Sequence, residues 1–104
     1  MRVIVHEHVY QVVDDFYSEA IARHPALDLQ TVLDKEERMY NALQTLGRTY
    51  YLYNEPRYIL DWKRKGYLDF IYEDFHFAFR VAVLPSGEMV VSVEDVRHSL
   101  LFHD

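Results

Sequence analysis

The chain has 104 residues, no cysteine and a net charge of −6. Its length fits one small domain, residues 1–104, which can build a core because half of the residues are hydrophobic. Disulfides and thiolate metal sites are excluded. The N-terminus lacks a signal-peptide pattern, and no apolar run approaches the roughly 18 residues of a membrane span. We therefore expect a cytoplasmic protein with no membrane partner.

Charge is distributed unevenly along the chain. Residues 1–47 and 66–104 are acidic, whereas residues 48–65 carry five Lys or Arg and two Asp or Glu. Within it, the one basic island is Arg57 to Lys65, which centres on Lys63-Arg64-Lys65; we call these three residues the basic segment. An acidic chain with one basic segment argues against broad, non-specific nucleic-acid binding. It leaves room for a local phosphate contact or for a partner protein.

The first half of the sequence predicts a strand and two helices. Residues 2–5 form a short β-branched run that is typical of a strand. Apolar residues then recur at helical spacing over residues 8–24, and Pro25 ends this helix. Asp28 has the side chain of an N-cap for a second helix, and Gly47 suits its C′ position. The short connection between the helices predicts an antiparallel hairpin.

The second half predicts a loop followed by three strands. The loop covers residues 48–65, with a short strand or turn at Tyr58–Trp62. Strand-forming residues separated by two turn signals then indicate a meander over Tyr67–Tyr72, Phe75–Leu84 and Glu88–His98. The predicted fold class is α+β, in the order strand, helix, helix and three-stranded antiparallel meander. The helix hairpin is expected to pack on one face of the sheet.

The middle strand of the meander indicates which residues point away from the helices. Within Phe75–Arg80 the three phenylalanines share one face, and His76 and Arg80 share the other. We expect this other face to be open and to carry any activity, together with the end of the last strand. Arg97 and His98 lie at that end, and only one of them can serve because neighbouring side chains point to opposite faces.

Two further patterns have ordinary structural interpretations. His6 and His8 have a spacing that a metal site could use, but no third ligand accompanies them. The tyrosines of residues 50–58 could stack on nucleobases, although helix packing and loop anchoring are commoner roles. We therefore expect no metal site and no cofactor.

Three short segments carry a resemblance to a known family. Residues 65–70 (KGYLDF) enter the first meander strand, residues 75–80 (FHFAFR) alternate aromatic and other side chains, and residues 96–98 (VRH) end the last strand on basic groups. With its element order and size, nearly the whole chain resembles the RelE/ParE superfamily of toxins from bacterial type II toxin–antitoxin systems. His76 stands where the family's strand usually has arginine.

The resemblance implies a growth-inhibiting toxin that a cognate antitoxin protein neutralises. Family members either cleave mRNA on the ribosome, as mRNA interferases, or inhibit DNA gyrase. In the nuclease branch the RNA 2′-hydroxyl attacks the adjacent phosphate, which requires a base, an acid and cations. We expect a ribosome-dependent mRNA endoribonuclease. The alternatives are a non-enzymatic interaction module on the same fold, either a gyrase inhibitor or a homologue without an active site, and an unrelated α+β binding domain.

The resemblance also implies candidate site residues. His76 and the last-strand pair Arg97 and His98 match functional positions, and Glu55 resembles an acidic base that some members place before a proline. The catalytic candidates are therefore His98, Arg97, Glu55 and His76, with His98 or Glu55 handling protons. The candidates for binding the substrate phosphate are Arg80 and the basic segment, Lys63, Arg64 and Lys65.

Overall fold

The structure, a computed structural model, describes residues 1–99. Its strands are β1 (Arg2–Val5), β2 (Leu68–Tyr72), β3 (Phe75–Val83) and β4 (Met89–His98). They form one sheet in the order β1-β4-β3-β2. The sheet is mixed, because β1 runs parallel to β4 whereas the other neighbours are antiparallel. Together with the helices this confirms the predicted α+β class.

The helices with defined bounds within residues 1–99 lie between β1 and β2 in sequence. They are α1 (Glu7–Arg23), α2 (Leu29–Gln44), α3 (Leu46–Thr49) and α4 (Leu60–Arg64), with a 3₁₀ helix at Tyr50–Leu52. The prediction of a loop over residues 48–65 was therefore wrong for much of that region. Among residues 1–99, no helix has the length and apolar character needed to cross a membrane.

The two ends of α2 differ in how well they were predicted. The side chain of Asp28 caps the start of the helix by accepting a hydrogen bond from the Gln30 backbone N–H at 3.1 Å. Gly47 is not the C′ residue, since α2 ends at Gln44 and Gly47 lies inside α3. A side chain at Gly47 would collide with the Met1 carbonyl oxygen, and the Gly47 carbonyl accepts a hydrogen bond from the Met1 amino group at 3.0 Å. Glycine is needed there for close approach rather than for ending a helix.

The main core lies between the helices and one face of the sheet. The three phenylalanines of β3 that face the helices are at most 2% exposed. Apolar side chains at helical spacing on α1 and α2 meet them, because that spacing places them on one side of each helix. The fully buried members of these stripes are Val9, Val13, Val32, Met39 and Leu43.

Contacts between α1 and α2 show that the two helices run antiparallel. The rings of Tyr10 and Tyr40 lie 4.7 Å apart. One turn later in α1, Asp14 lies beside Glu36, which is one turn earlier in α2. Later residues of one helix thus meet earlier residues of the other.

The opposite face of the sheet, which we call the second face, is not open as predicted. Ile59 and Trp62 pack against Ala78 of β3, and each is at most 4% exposed. The indole N–H of Trp62 donates to Asp95 of β4 at 3.0 Å. The region predicted as a strand or turn instead contains the start of the helix α4. Ile59 is the N-cap residue of this helix, and Trp62, three residues later, lies on the same side and meets the sheet with it.

An irregularity in the pairing of β3 with β4 determines which side chains reach the second face. Ala78 is opposite Asp95, but the next residue, Phe79, is opposite Val93, so β4 has one extra residue, Glu94. A bulge of this kind re-aims the side chains beyond it. Glu94 and Asp95 consequently both reach the second face and form hydrogen bonds there.

Candidate functional site

A cavity of about 340 Å³ opens beside the edge strand β2. We call it the edge cavity. One wall is the segment 52–59, and the other is formed by Asp69, Ile71 and His76 on the second face. Its volume falls within the roughly 300–1,000 Å³ of small-ligand sites. The edge cavity brings together two of the predicted catalytic residues, Glu55 and His76.

Two packed side chains, the partly buried Tyr53 and the buried Ile59, hold the wall segment in place. The ring of Tyr53 packs edge-on against two core phenylalanines, with centroids 5.3 and 5.9 Å away. At the other end, Ile59 is buried against the second face. Between them, the Asn54 carbonyl accepts a hydrogen bond from the Asp69 backbone N–H at 2.9 Å. Tyr53 is thus a loop anchor, and the backbone of the wall is tied at both ends and to the strand β2.

Three exposed side chains project from the wall between these anchors. Glu55, Arg57 and Tyr58 are all exposed and all line the edge cavity. They bring a carboxylate, a guanidinium and a phenol ring to one space. The sequence indicated Glu55 by resemblance, Tyr58 only as one of a cluster of tyrosines, and Arg57 only as part of a basic region. Loop residues show no periodicity that would reveal where these side chains point.

The strand side of the edge cavity holds a histidine–carboxylate pair. Nδ1 of His76 lies 2.9 Å from one oxygen of Asp69 and 3.1 Å from the other. The two side chains are 18% and 11% exposed, so both are largely shielded from water. A carboxylate in this position fixes the orientation of the imidazole ring, as an acid–base histidine requires.

Asp69 was missed as a functional candidate, although the sequence contains a signal for it. The two-residue turn between β2 and β3 pairs Tyr72 with Phe75, which places Ala78 opposite Asp69. His76 is then the diagonal neighbour of Asp69 on the same face, within reach of a long side chain. Extending the hairpin register from the turn would have identified the pair.

Arg97 does not line the edge cavity. Its guanidinium forms an ion pair with Asp61 of α4 and lies over the Trp62 ring, 5.2 Å from the ring centroid. The hydrogen bond from Arg97 lowers the pKa of Asp61. In this arrangement Arg97 holds α4 against β4.

Arg80 is also engaged within the fold. It forms an ion pair with Glu94, whose other oxygen accepts a hydrogen bond from the Tyr67 hydroxyl at 3.1 Å. Burial acts to raise the pKa of Glu94, but the hydrogen bonds from Arg80 and Tyr67 outweigh it and lower the pKa. The hydrogen bond to Glu94 likewise raises the pKa of Arg80.

His98 lies on the helix-covered side of the sheet, away from the edge cavity. It is 5% exposed, with its ring stacked on Phe16 at 4.2 Å and edge-on to Phe75 at 5.0 Å. Burial lowers the pKa of His98, against a weaker opposing effect of Asp74. Arg97 and His98 therefore point to opposite faces, as predicted, and His98 is the one that faces the core.

The basic segment is exposed but does not line the edge cavity. Lys63 and Arg64 end α4, and Lys65 follows with its Nζ 6.0 Å from the centre of the Tyr67 ring. None of the three forms an ion pair with a carboxylate of residues 1–99. This cationic surface is thus not neutralised by the described part of the fold.

The histidines of the N-terminal segment bond to β4. Nε2 of His6 lies 3.2 Å from the Ser92 hydroxyl, and Nε2 of His8 lies 3.2 Å from Asp95. In residues 1–99, no three or more His, Asp or Glu side chains are grouped so that they could hold a metal ion.

Comparisons with protein families, curated proteins and solved structures give no match. The chemistry of the edge cavity can still be stated from its own side chains. It holds two groups that can exchange protons, Glu55 and the oriented His76, beside the cation of Arg57. Such a set can catalyse proton transfer around a phosphodiester.

Proposed function

We propose that this chain is a RelE/ParE-like toxin of a bacterial type II toxin–antitoxin system, and that it cleaves mRNA on the ribosome. The observation that carries the proposal is that Glu55, Arg57 and the His76–Asp69 pair line one cavity. In this proposal the protein acts in the cytoplasm, and a cognate antitoxin protein blocks its activity.

The order of elements supports the finer, RelE/ParE-like architecture as part of the same proposal. β1 is followed by the helix pair α1 and α2, and the last three described strands, β2, β3 and β4, have antiparallel neighbours. β1 pairs in parallel with β4. In this description α3 and α4 are additions within the connection to β2, and α4 supports the wall of the edge cavity.

Cleavage requires two proton transfers. The 2′-hydroxyl loses a proton as its oxygen attacks phosphorus, and the departing 5′-oxygen gains one as its bond to phosphorus breaks. We assign the base to Glu55, which is exposed, and the acid to His76, which Asp69 orients. Arg57 would stabilise the negative charge that develops on the phosphate oxygens. The product is a 2′,3′-cyclic phosphate and a free 5′-hydroxyl.

The predicted phosphate ligands differ in how readily they can contact RNA. Arg80 would have to leave Glu94 before binding a phosphate, and the catalytic candidate Arg97 would likewise have to leave Asp61. The basic segment has no such carboxylate within residues 1–99. We therefore assign the flanking phosphates to the basic segment.

Translating ribosomes with a defined mRNA provide the test. Primer extension maps cleavage, and the cyclic phosphate at the new 3′ end identifies the mechanism. We expect Glu55→Gln and His76→Gln each to slow cleavage by about 10²–10⁴-fold, the usual contribution of one acid or base. Glu37→Gln, at an exposed glutamate of α2, is the matched control. Intact mRNA with the wild-type protein, or variants as active as the control, would refute the nuclease.

The ion pairs of two arginines within the fold favour a second candidate function, a non-enzymatic interaction module. Arg80 and Arg97, which the resemblance links to phosphate and catalysis, stabilise the fold through Glu94 and Asp61. In that case the protein would arrest growth without cleaving mRNA. A DNA gyrase supercoiling assay then separates a gyrase inhibitor from a homologue that has lost its active site.

A further inference from the structure

The contacts of Tyr58 within the fold do not explain why a tyrosine stands at this position. It is 84% exposed, more than any other large hydrophobic side chain of residues 1–99. Tyr53, earlier in the same wall, shows the ordinary alternative, because its ring packs against core phenylalanines. Burial of apolar surface stabilises a folded chain, and Tyr58 forgoes that contribution. Its ring instead lines the edge cavity.

Apolar surface surrounds the polar groups of the edge cavity. Ile71 of β2 is 57% exposed and Leu52 is 63% exposed, and both line the same space as Tyr58. The acid–base residues Glu55 and His76 lie in the same lining. A free phosphate would make no use of this apolar surface. A planar aromatic group joined to a phosphodiester matches both parts of the lining.

We infer that Tyr58 is a stacking platform for one unpaired RNA nucleobase next to the phosphate that is cleaved. The inference rests on the proposed function for the identity of the substrate, and it adds a residue that binds RNA without transferring protons. Unstacked bases of single-stranded RNA are commonly held on aromatic side chains. Because every base has a flat π face, such a platform accepts different sequences.

The anchoring of the wall segment makes Tyr58 suited to this role. Its neighbour Ile59 is buried, and Asn54 is bonded to β2, so the backbone around Tyr58 is already ordered. An ordered backbone reduces the conformational entropy that binding would otherwise cost. Tyr58 thus lines the edge cavity on an ordered backbone while its side chain stays exposed.

The test measures binding separately from cleavage. A fluorescently labelled single-stranded RNA built of 2′-O-methyl nucleotides cannot be cleaved by a 2′-hydroxyl mechanism, and its anisotropy reports affinity. Loss of one base–aromatic stack predicts that Tyr58→Ala binds roughly 5- to 150-fold more weakly than wild type. Tyr58→Phe and Tyr58→Trp, which keep a ring, are expected to bind within about 3-fold of wild type. Tyr51→Ala is the matched control, at a tyrosine that is 70% exposed and outside the cavity.

Each outcome decides the inference. Unchanged affinity for Tyr58→Ala, no RNA binding by the wild type, or equal losses in the Phe, Trp and Ala variants would overturn it. If Tyr58→Ala alone loses binding while wild type leaves mRNA intact on ribosomes, the stacking platform stands and the proposed nuclease fails. If wild type cleaves mRNA and Tyr58→Ala both binds and cleaves normally, the nuclease stands and the platform fails.

Discussion

Replacing Trp62 with alanine tests whether α4 closes the second face of the sheet. Trp62 is the only tryptophan of the chain and is 0% exposed. Its ring packs with Ile59 and Ala78, its N–H donates to Asp95, and the guanidinium of Arg97 lies over it at 5.2 Å. The substitution Trp62→Ala would therefore remove or weaken all of these contacts between α4 and the sheet.

The expected cost follows from these contacts. Truncating a buried tryptophan to alanine costs about 3–5 kcal/mol, because transfer free energy is lost and a cavity remains. The cation–π contact contributes about 0.5–1 kcal/mol of this at a partly exposed site. Asp95 is 27% exposed in its side chain and can bond to water after the change, so the lost hydrogen bond adds little. The total is a large share of the roughly 5–15 kcal/mol that stabilises a small domain.

Urea unfolding followed by circular dichroism measures this cost. With slopes of about 1–3 kcal/mol per molar urea, the midpoint for Trp62→Ala should fall by at least about 1 M. Leu60→Ala is the control on the same helix, because Leu60 is 58% exposed and its loss should change stability by no more than about 0.5 kcal/mol. In the wild type, acrylamide should quench the fluorescence of Trp62 weakly until the chain unfolds.

Two results would contradict the packing of α4 on the sheet. One is quenching of Trp62 in the native protein as strong as in the unfolded chain. The other is a cost for Trp62→Ala no larger than for Leu60→Ala. Either result would mean that Ile59 and α4 are not packed on the sheet, and that the wall of the edge cavity is not held in the described position.

Three further changes test the charged groups. Burial lowers the pKa of His98 in the folded state below its ordinary 6.5. The contribution of neutral His98 to stability is therefore complete above pH 6.5 and is lost as the pH falls towards the folded-state pKa. Thermal melts between pH 7 and pH 5 should therefore show a smaller loss of stability in His98→Phe than in wild type. Burial and the neighbouring Asp14 raise the pKa of Glu36 from 4.5 to about 7, so the folded state keeps a proton that the unfolded chain releases, and stability falls as pH rises through that interval. Glu36→Gln should stabilise the protein at pH 8 by about 1–2 kcal/mol, below the full linkage value because the group is partly solvated, and change little at pH 5. Replacing the three cations of the basic segment with glutamine should reduce the slope of log affinity for single-stranded RNA against log salt by up to about 2, at roughly 0.7 for each phosphate contact. An unchanged slope would show that the basic segment does not contact RNA.

Local patterns were sufficient to predict the fold class and most element positions. Alternation along β3 indicated the face of its three phenylalanines, and Asp28 was identified as a cap because its side chain suits the helix start. The predicted strands match the observed ones to within a residue at each end. These features depend on residues close in sequence, which is why a single sequence reveals them.

The edge cavity could not be predicted because it depends on contacts between distant segments. α4 forms where Ile59 and Trp62 meet Ala78, a residue of another element with no local mark of that contact. The cavity wall depends further on the bond between Asn54 and Asp69. Sequence reasoning therefore identified Glu55 and His76 separately but gave no reason to place them together.

The bulge at Glu94 explains why His98 and Arg97 exchange the roles that a regular hairpin would give them. Near the turn, Phe79 is paired with Val93, and continuing that register by four residues on each strand would place Arg97 opposite Phe75. The guanidinium would then enter the core, where an unpaired charge is very costly, and His98 would reach the second face. The one extra residue in β4 instead pairs His98 with Phe75, so that an imidazole stacks on Phe16 and Arg97 meets Asp61. A single inserted residue thus keeps the imidazole of His98 away from the second face, and Glu55 and His76 are the two proposed acid–base groups that line one cavity.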